Sequence, residues 1–182
     1  MKFNYFYVAD FYNKDQCQQL NDALSYNIDQ QIPDVPAKNV VKTVDVGIVP
    51  IKRVKDYLGG LTDLVKQINR EGFGFNLYDT TEYDTINYNE YTANKQGEYG
   101  WHTDFPLHNL YHLKLTVLVN LSTTEYTGGT FETFSNGPKQ IKEFDKPGSV
   151  LIFPSWTPHR VTPVTSGKRT SMALFIAGPK IQ

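Results

Sequence analysis

The spacing of hydrophobic residues changes character near residue 73. Before that point, two segments repeat apolar residues every three or four positions, which is the spacing of an amphipathic helix. The first follows Asn13, a predicted N-cap because Gln16 stands three residues later, as in a capping box. It runs to about residue 26, and the second covers 53–70 with an interruption at Gly59-Gly60. The other elements predicted in this half are a strand over 3–11, a loop over 27–42 and a strand over 44–48.

From residue 73 onward, apolar and polar residues alternate over short segments separated by turn residues. The clearest segment is 113–121, in which the apolar residues fall at every second position and share one face. Many short strands at regular spacing are typical of a sandwich or barrel. Because the helices come first, the predicted class is α+β: a double-stranded β-helix (jelly-roll, cupin-like) core with N-terminal helices packed on one side. The predicted strands are 84–92, 113–121, 129–134, 140–144, 149–153, 159–164 and 169–176.

Length and composition narrow the class of protein further. The 182 residues suffice for one domain, predicted as a supporting part over 1–80 and a jelly-roll core over 81–180. A net charge of −1 gives no electrostatic reason to expect nucleic-acid or membrane partners. Cys17 is the one cysteine, which excludes an intramolecular disulfide and a multi-cysteine zinc site. With no signal-peptide pattern and no apolar run of about 18 residues, we predict a cytoplasmic protein.

Two histidines and an aspartate form a candidate iron site. His102 and Asp104 are two residues apart at the end of a predicted strand, so both side chains point to the same face. That pair alone is a weak signal, and a surface pair is the alternative. His159 follows a later strand and a turn, and in a barrel it would complete a facial triad of two imidazoles and one carboxylate. Such a triad holds iron(II) and leaves positions open for a chelating co-substrate and O2.

Arg169 stands on the next predicted strand, ten residues after His159. A guanidinium can bind a carboxylate through two parallel hydrogen bonds, and a barrel strand has little other reason to carry an inward arginine. The alternative is a surface charge on an edge strand.

Three segments together resemble the 2-oxoglutarate/Fe(II) oxygenases of the prolyl 4-hydroxylase type, including the PKHD-type hydroxylases. The first contains Tyr, a turn and Trp-His-x-Asp; the second is a strand that leads to Gly-Gly; the third contains Phe-Pro-Ser and His-Arg-Val-x-Pro-Val. The segments are YTANKQGEYGWHTD at 91–104, LKLTVLVNLSTTEYTGGTFE at 113–132 and GSVLIFPSWTPHRVTPVTSGKRTSMALFI at 148–176. The chain departs from many relatives near the end of the last strand, where Ala173-Leu174-Phe175 replaces a tryptophan.

This resemblance implies a role for each matching residue. His102, Asp104 and His159 would bind Fe(II), and Arg169 would pair with the distal carboxylate of 2-oxoglutarate. Tyr91 would donate its hydroxyl to the same carboxylate, with a core tyrosine as the alternative. The implied cofactors are Fe(II), 2-oxoglutarate and O2, with L-ascorbate as a further candidate. A hydroxyl contact from Ser171 is also implied, with Thr170 or neither as alternatives.

The resemblance implies hydroxylation of a substrate C–H bond with release of succinate and CO2. The favoured substrate is a peptide or protein, with proline as the target, held under a loop at 26–42 or 79–87. A small metabolite or free amino acid is the second interpretation, and a catalytically inactive cupin-like binding module is the third. No basic stripe supports a nucleic-acid substrate.

Several aromatic residues and histidines near these motifs remain outside the predicted site. Tyr99 and Trp101 would share a strand face opposite to His102 and are predicted to be structural. Trp156 is a candidate for the mouth of the pocket, and loop histidines 108 and 112 are weak candidates for substrate contact.

Overall fold

The computed structural model describes residues 4–32, 40–104, 111–134 and 136–180. The helices are α1 (Lys14–Tyr26) and α2 (Leu61–Ile68), accompanied by a π-helical turn at Asn69–Phe73 and 3-10 turns at Ile51–Arg53, Lys55–Tyr57, Ala93–Lys95 and Lys142–Asp145. The strands are β1 (Phe6–Val8), β2 (Gln30–Ile32), β3 (Asp45–Pro50), β4 (Thr85–Thr92), β5 (Tyr99–His102), β6 (His112–Asn120), β7 (Tyr126–Gly128), β8 (Phe131–Phe134), β9 (Pro138–Gln140), β10 (Val150–Pro154), β11 (His159–Val161) and β12 (Val164–Gly178).

Two antiparallel sheets face each other across an apolar interior. The larger sheet has the order β1-β10-β6-β12-β4-β3-β2, with β7 paired to the start of β12, and the smaller has the order β5-β11-β8-β9. Residues from both sheets meet in one buried cluster, in which Phe131 and Val161 of the smaller sheet pack with Val46, Leu151 and Phe153 of the larger. The predicted jelly-roll core is therefore confirmed.

The outer face of the larger sheet is covered by the two helices. Leu20 and Leu24 of α1, with Leu61 and Val65 of α2, belong to a second buried cluster with the alternate apolar residues of the sheet. On β6 these are the residues that the alternating pattern placed on one face: Leu115, Val117 and Val119. The residues between them face the interior. Each central strand therefore packs against the helices with one face and faces the space between the two sheets with the other.

Helix α1 begins as its sequence predicts. The Asn13 side chain accepts a hydrogen bond from the Gln16 backbone at 2.9 Å, and the Gln16 side chain accepts one from the Asn13 backbone at the same distance. This capping box satisfies two of the amide groups that a helix N-terminus leaves without partners.

Several predicted elements were wrong in extent or type: the predicted loop 27–42 contains β2 (Gln30–Ile32), and the predicted strand 3–11 is reduced to β1 (Phe6–Val8). The segment 53–70 is broken at the predicted interruption, where Gly59 takes a left-handed φ of 55°. Only the part after Gly60 is an α-helix, since the part before it forms 3-10 turns. The segment 140–144 is not a strand but leads into the 3-10 turn at Lys142–Asp145. Ile141 and Phe144 are both buried in the interior, and residues three apart reach the same side from a turn but not from a strand.

In the described part of the chain, neither helix has the length and apolar character that a membrane crossing requires. Location in the cytoplasm and the organisation as one domain over 1–182 stay predictions.

Candidate metal centre and its cavity

The neighbouring strands β5 and β11 bring the three candidate ligands together. His102 is the last residue of β5 and lies opposite His159, the first residue of β11. Asp104 follows two residues after His102. Its carboxylate oxygens lie 3.5 Å from His102 Nε2 and 3.4 Å from His159 Nε2. The candidate ligand atoms all lie within 4.8 Å of one another, so one cation between them would contact all three side chains.

Both imidazoles are oriented by backbone carbonyls. His102 Nδ1 lies 2.8 Å from the Gly100 carbonyl oxygen, and His159 Nδ1 lies 2.9 Å from that of Thr157. A carbonyl can only accept a hydrogen bond, so each Nδ1 carries the proton and each Nε2 presents a lone pair to the centre. Metal-binding histidines usually have such a partner on the second nitrogen. Burial lowers the pKa of His159, which favours the neutral, ligating form.

The carboxylate of Asp104 is held by the opposite sheet. Thr116 of β6 donates its hydroxyl to Asp104 Oδ2 at 2.9 Å, and the Asp104 backbone donates to the Ser155 carbonyl at 2.9 Å. Burial alone would raise the pKa of Asp104. The two histidines and the Thr116 hydroxyl outweigh burial and hold this pKa below its ordinary value. Two neutral imidazoles and one anionic carboxylate are therefore present, which is the donor set that suits iron(II).

A cavity of about 100 Å³ lies between the sheets and is lined by the three candidate ligands and by Arg169, Tyr91 and Ser171. Arg169 is only 2% exposed. One of its Nη atoms donates to Ser171 Oγ at 3.2 Å, and the guanidinium carbon lies 5.1 Å from the centre of the Tyr91 ring. Among the described residues, no carboxylate lies within 4.0 Å of this guanidinium. A buried arginine without a carboxylate partner fits an anionic ligand that enters the cavity.

The pairing of β12 with β4 explains which neighbours of Arg169 face the cavity. Arg169 lies opposite Tyr91, and Ser171 lies opposite Asn89. Thr170 points to the other side of the sheet, where it lines a separate pocket with Gln18 and Asn21 of α1. Of the two hydroxyl candidates, Ser171 therefore lines the cavity. Burial raises the pKa of Tyr91 to about 12, so its hydroxyl stays protonated and can donate a hydrogen bond.

The sequence profile of the 2OG-Fe(II) oxygenase superfamily matches residues 86–177, which is half of the chain and contains the triad and Arg169. The chain belongs to the 2OG-Fe(II) oxygenase superfamily. Members of this superfamily use Fe(II), 2-oxoglutarate and O2, and the donor set and the buried arginine fit those groups.

Individual relatives of this superfamily member agree with the assignment. A PKHD-type hydroxylase from Synechococcus sp. (strain CC9605) is 41% identical over 73 residues, which is 39% of this chain and about a third (32%) of the relative's length. The fold resembles a prolyl-4-hydroxylase from Pseudomonas putida, with a TM-score of 0.72 and 18% identity over 97% of this chain and 94% of that one. It also resembles a Trichoplax adhaerens prolyl hydroxylase in complex with a peptide fragment, with a TM-score of 0.72 and 16% identity over 95% and 83%.

The placement predicted for Tyr99 was wrong. Its ring stacks on the His102 imidazole, with centroids 3.6 Å apart and planes 9° apart, and it lines the cavity of this oxygenase. The cause is a bulge: the register passes from His102↔His159 to Tyr99↔Val161, so β5 advances three residues where β11 advances two. A bulge reverses the alternation of side chains, which a sequence pattern alone does not reveal.

Other aromatic candidates lie apart from the cavity. Trp101 packs edge-to-face on Phe134, beneath Arg160. Trp156 packs against Phe75 and is not among the described residues that line the cavity, so its place at the pocket mouth stays a prediction. Histidine 108 lies outside the described residues, and His112 belongs to β6.

The pattern of the sequence does not predict one basic residue of the cavity. Lys42 lines the cavity although it lies in the predicted loop 27–42, because the segment 41–43 runs beside β5. Gly100 donates to the Val41 carbonyl at 2.8 Å, and Thr43 donates to the Glu98 carbonyl at 3.0 Å.

Proposed function

We propose that this protein is an Fe(II)- and 2-oxoglutarate-dependent dioxygenase that hydroxylates a substrate C–H bond and releases succinate and CO2. The observation that carries the proposal is the convergence of two imidazoles, a carboxylate and a buried arginine on one cavity. Superfamily membership supports the same conclusion. The intact triad and arginine argue against a catalytically inactive binding module.

Each proposed role follows from the orientation of the side chain. His102 and His159 present Nε2 to the metal, and Asp104 presents one carboxylate oxygen while Thr116 holds the other. When bound, iron(II) and 2-oxoglutarate supply the oxidation of a C–H bond by O2. Arg169 binds the distal carboxylate of 2-oxoglutarate, because it is the buried cation of the cavity and a guanidinium matches a carboxylate geometrically.

The remaining cavity residues orient the co-substrate and exclude water. Tyr91 donates its phenolic hydroxyl toward the same carboxylate, and Ser171 keeps the guanidinium in place through its hydrogen bond. The apolar walls, which include Leu118, Phe131 and Val161, keep water from the reacting centre. No side chain is assigned as a general acid or base.

We propose a peptide or protein as the substrate, with proline as the target residue. The support is the relation to a PKHD-type hydroxylase and the similarity of the fold to prolyl hydroxylases, one of them bound to a peptide. The alternative substrate is a small metabolite or a free amino acid. In that case these compounds would stimulate succinate formation and peptides would not.

Succinate release tests the reaction class. We expect succinate only when both Fe(II) and 2-oxoglutarate are present, and none from the His159→Ala variant. The Arg169→Ala variant should raise the KM for 2-oxoglutarate by about 10- to 100-fold, because a charge-assisted pair is lost. Lys55→Met, a change of an exposed lysine far from the cavity, is the control. An unchanged KM in Arg169→Ala would exclude the role of this arginine, and succinate formation by His159→Ala would exclude the metal site.

A further inference from the structure

Lys42 is a second cation of the cavity, and it has no part in the proposed binding of the metal or of 2-oxoglutarate. It is partly buried, and its Nζ lies 5.1 Å from the centre of the Tyr99 ring, the ring that stacks on His102. Lys42 therefore lies on the metal side of the cavity. Arg169 stands on β12 of the larger sheet, opposite Tyr91.

The nearby acidic groups do not neutralise Lys42. In the described ranges of the chain, no carboxylate lies within 4.0 Å of its Nζ. Asp45, three residues away, is bound by Lys95 at 2.6 and 2.7 Å. Asp104, the acidic residue of the cavity wall, is engaged by the histidines and Thr116.

The cavity keeps a net positive charge when the charges of its described side chains, of iron(II) and of 2-oxoglutarate are added. Among the residues that the structure describes, its wall carries two cations, Lys42 and Arg169, and one anion, Asp104. The charge of iron(II) equals and opposes that of the 2-oxoglutarate dianion, so their binding leaves one positive charge in excess. Because Arg169 and Asp104 each have a partner in the loaded site, this excess belongs to Lys42.

We propose that Lys42 is a specificity-determining residue that binds a carboxylate of the primary substrate, an inference that rests on the proposed function. Tyr99 holds the ammonium group over its ring, and the carboxylate anchors the substrate beside the metal. The chemical class is a substrate with a carboxylate close to the reacting C–H bond. Two sources share this chemistry: an acidic residue or free C-terminus of a peptide, and a free amino acid or related small acid.

Binding of matched acids and amides tests the proposal without a known substrate. The protein is loaded with Mn(II) and 2-oxoglutarate, so that ligands bind without turnover. The probes are N-acetyl amino acids, each as the free acid and as the primary amide, and proline peptides with Glu or Gln beside the proline. We expect at least one acid to bind about 3- to 10-fold more tightly than its amide partner, as a partly buried ion pair allows. The preference of peptides or of single amino acids identifies the source of the carboxylate.

Three variants connect that preference to Lys42. In Lys42→Met the acid and the amide should bind with equal affinity. In Lys42→Arg the preference for the acid should remain. In the control Lys55→Met this preference should equal that of the wild type. The proposal is overturned if no acid is preferred by the wild type, if the preference survives in Lys42→Met, or if Lys42→Met weakens only 2-oxoglutarate binding. Absence of succinate from the wild type would overturn the proposed function separately, since the binding comparison does not depend on turnover.

Discussion

The hydroxyl of Thr116 should control metal affinity, although it touches no metal. Thr116 is fully buried and donates to Asp104 Oδ2 at 2.9 Å, and its oxygen lies 3.1 Å from Ser155 Oγ. A hydroxyl has one proton to donate. Asp104 Oδ2 and Ser155 Oγ both lie within reach of that proton, and the anionic carboxylate is the stronger acceptor, so Thr116 donates to the metal ligand.

The Thr116→Val variant keeps the shape of the side chain and removes its hydrogen bond to Asp104. A hydrogen bond to a charged group is worth about 1.5–3 kcal/mol, which corresponds to roughly 10- to 100-fold in affinity. The same range is typical for loss of a residue that orients a metal ligand. We therefore expect Thr116→Val to bind the metal about 10- to 100-fold more weakly than the wild type.

Calorimetric titration with Mn(II), which accepts the same ligands and tolerates air, measures the effect on binding directly. Thr116→Ser keeps the hydroxyl and should retain affinity close to that of the wild type, while a thermal melt of each variant checks the fold. Equal affinity of Thr116→Val and the wild type would refute this role of the Thr116 hydroxyl, and so would a loss in Thr116→Ser as large as that in Thr116→Val.

Substitutions at four further positions test the support of the site and of the fold. Gly129 has φ of 60°, and a Cβ there would lie 2.8 Å from Val164 Cγ2 and 3.0 Å from Arg169 Cδ, so Gly129→Ala should displace the arginine and raise the KM for 2-oxoglutarate. Gly74→Ala, at φ of 70° with open space around it, should lower the melting temperature but leave that KM unchanged. Asn13→Ala removes the helix cap and should lower the free energy of unfolding by about 1 kcal/mol in urea denaturation. Tyr99→Leu removes the ring that stacks on the metal-ligand histidine and should weaken Mn(II) binding, whereas Tyr99→Phe keeps the stack and should not.

Each of these predictions has a contradicting result. Equal effects of the two glycine substitutions on KM would mean that backbone strain, and not contact with Arg169, is responsible. An unchanged unfolding free energy in Asn13→Ala would mean that the capping box contributes nothing. A loss of metal affinity in Tyr99→Phe would assign the effect to the hydroxyl of Tyr99 and not to its ring.

The parts of the site that the sequence predicts are those that follow regular alternation. Arg169 and Ser171 stand two apart on β12, so the pleated strand places both on one face. His102 and Asp104 have the same spacing, although β5 ends at His102 and Asp104 follows in a bend. The strand and turn before His159 return the chain to the edge where β5 ends. None of this needs knowledge of the tertiary structure beyond the assumption of a barrel.

The remaining site residues depend on features that one sequence does not encode locally. Tyr99 reaches the cavity through a bulge whose register is set by the partner strand β11. Lys42 reaches it because an irregular segment lies beside β5, and no periodicity marks such a segment. The alternating pattern places Thr116 on the polar face of β6, but only the packing of the second sheet brings Asp104 to it.

Separation of the two strand faces explains how the larger sheet carries a polar cavity without losing stability. On β12, Met172 and Leu174 pack under the helices, while Arg169 and Ser171 face the cavity. Burial of the first pair contributes favourable free energy that does not depend on what the second pair does. A buried guanidinium without a carboxylate is costly, and the helix layer allows the fold to tolerate that cost. A dicarboxylate that enters the cavity pairs with the Arg169 guanidinium and removes this cost. The gain in free energy contributes to the affinity for the dicarboxylate.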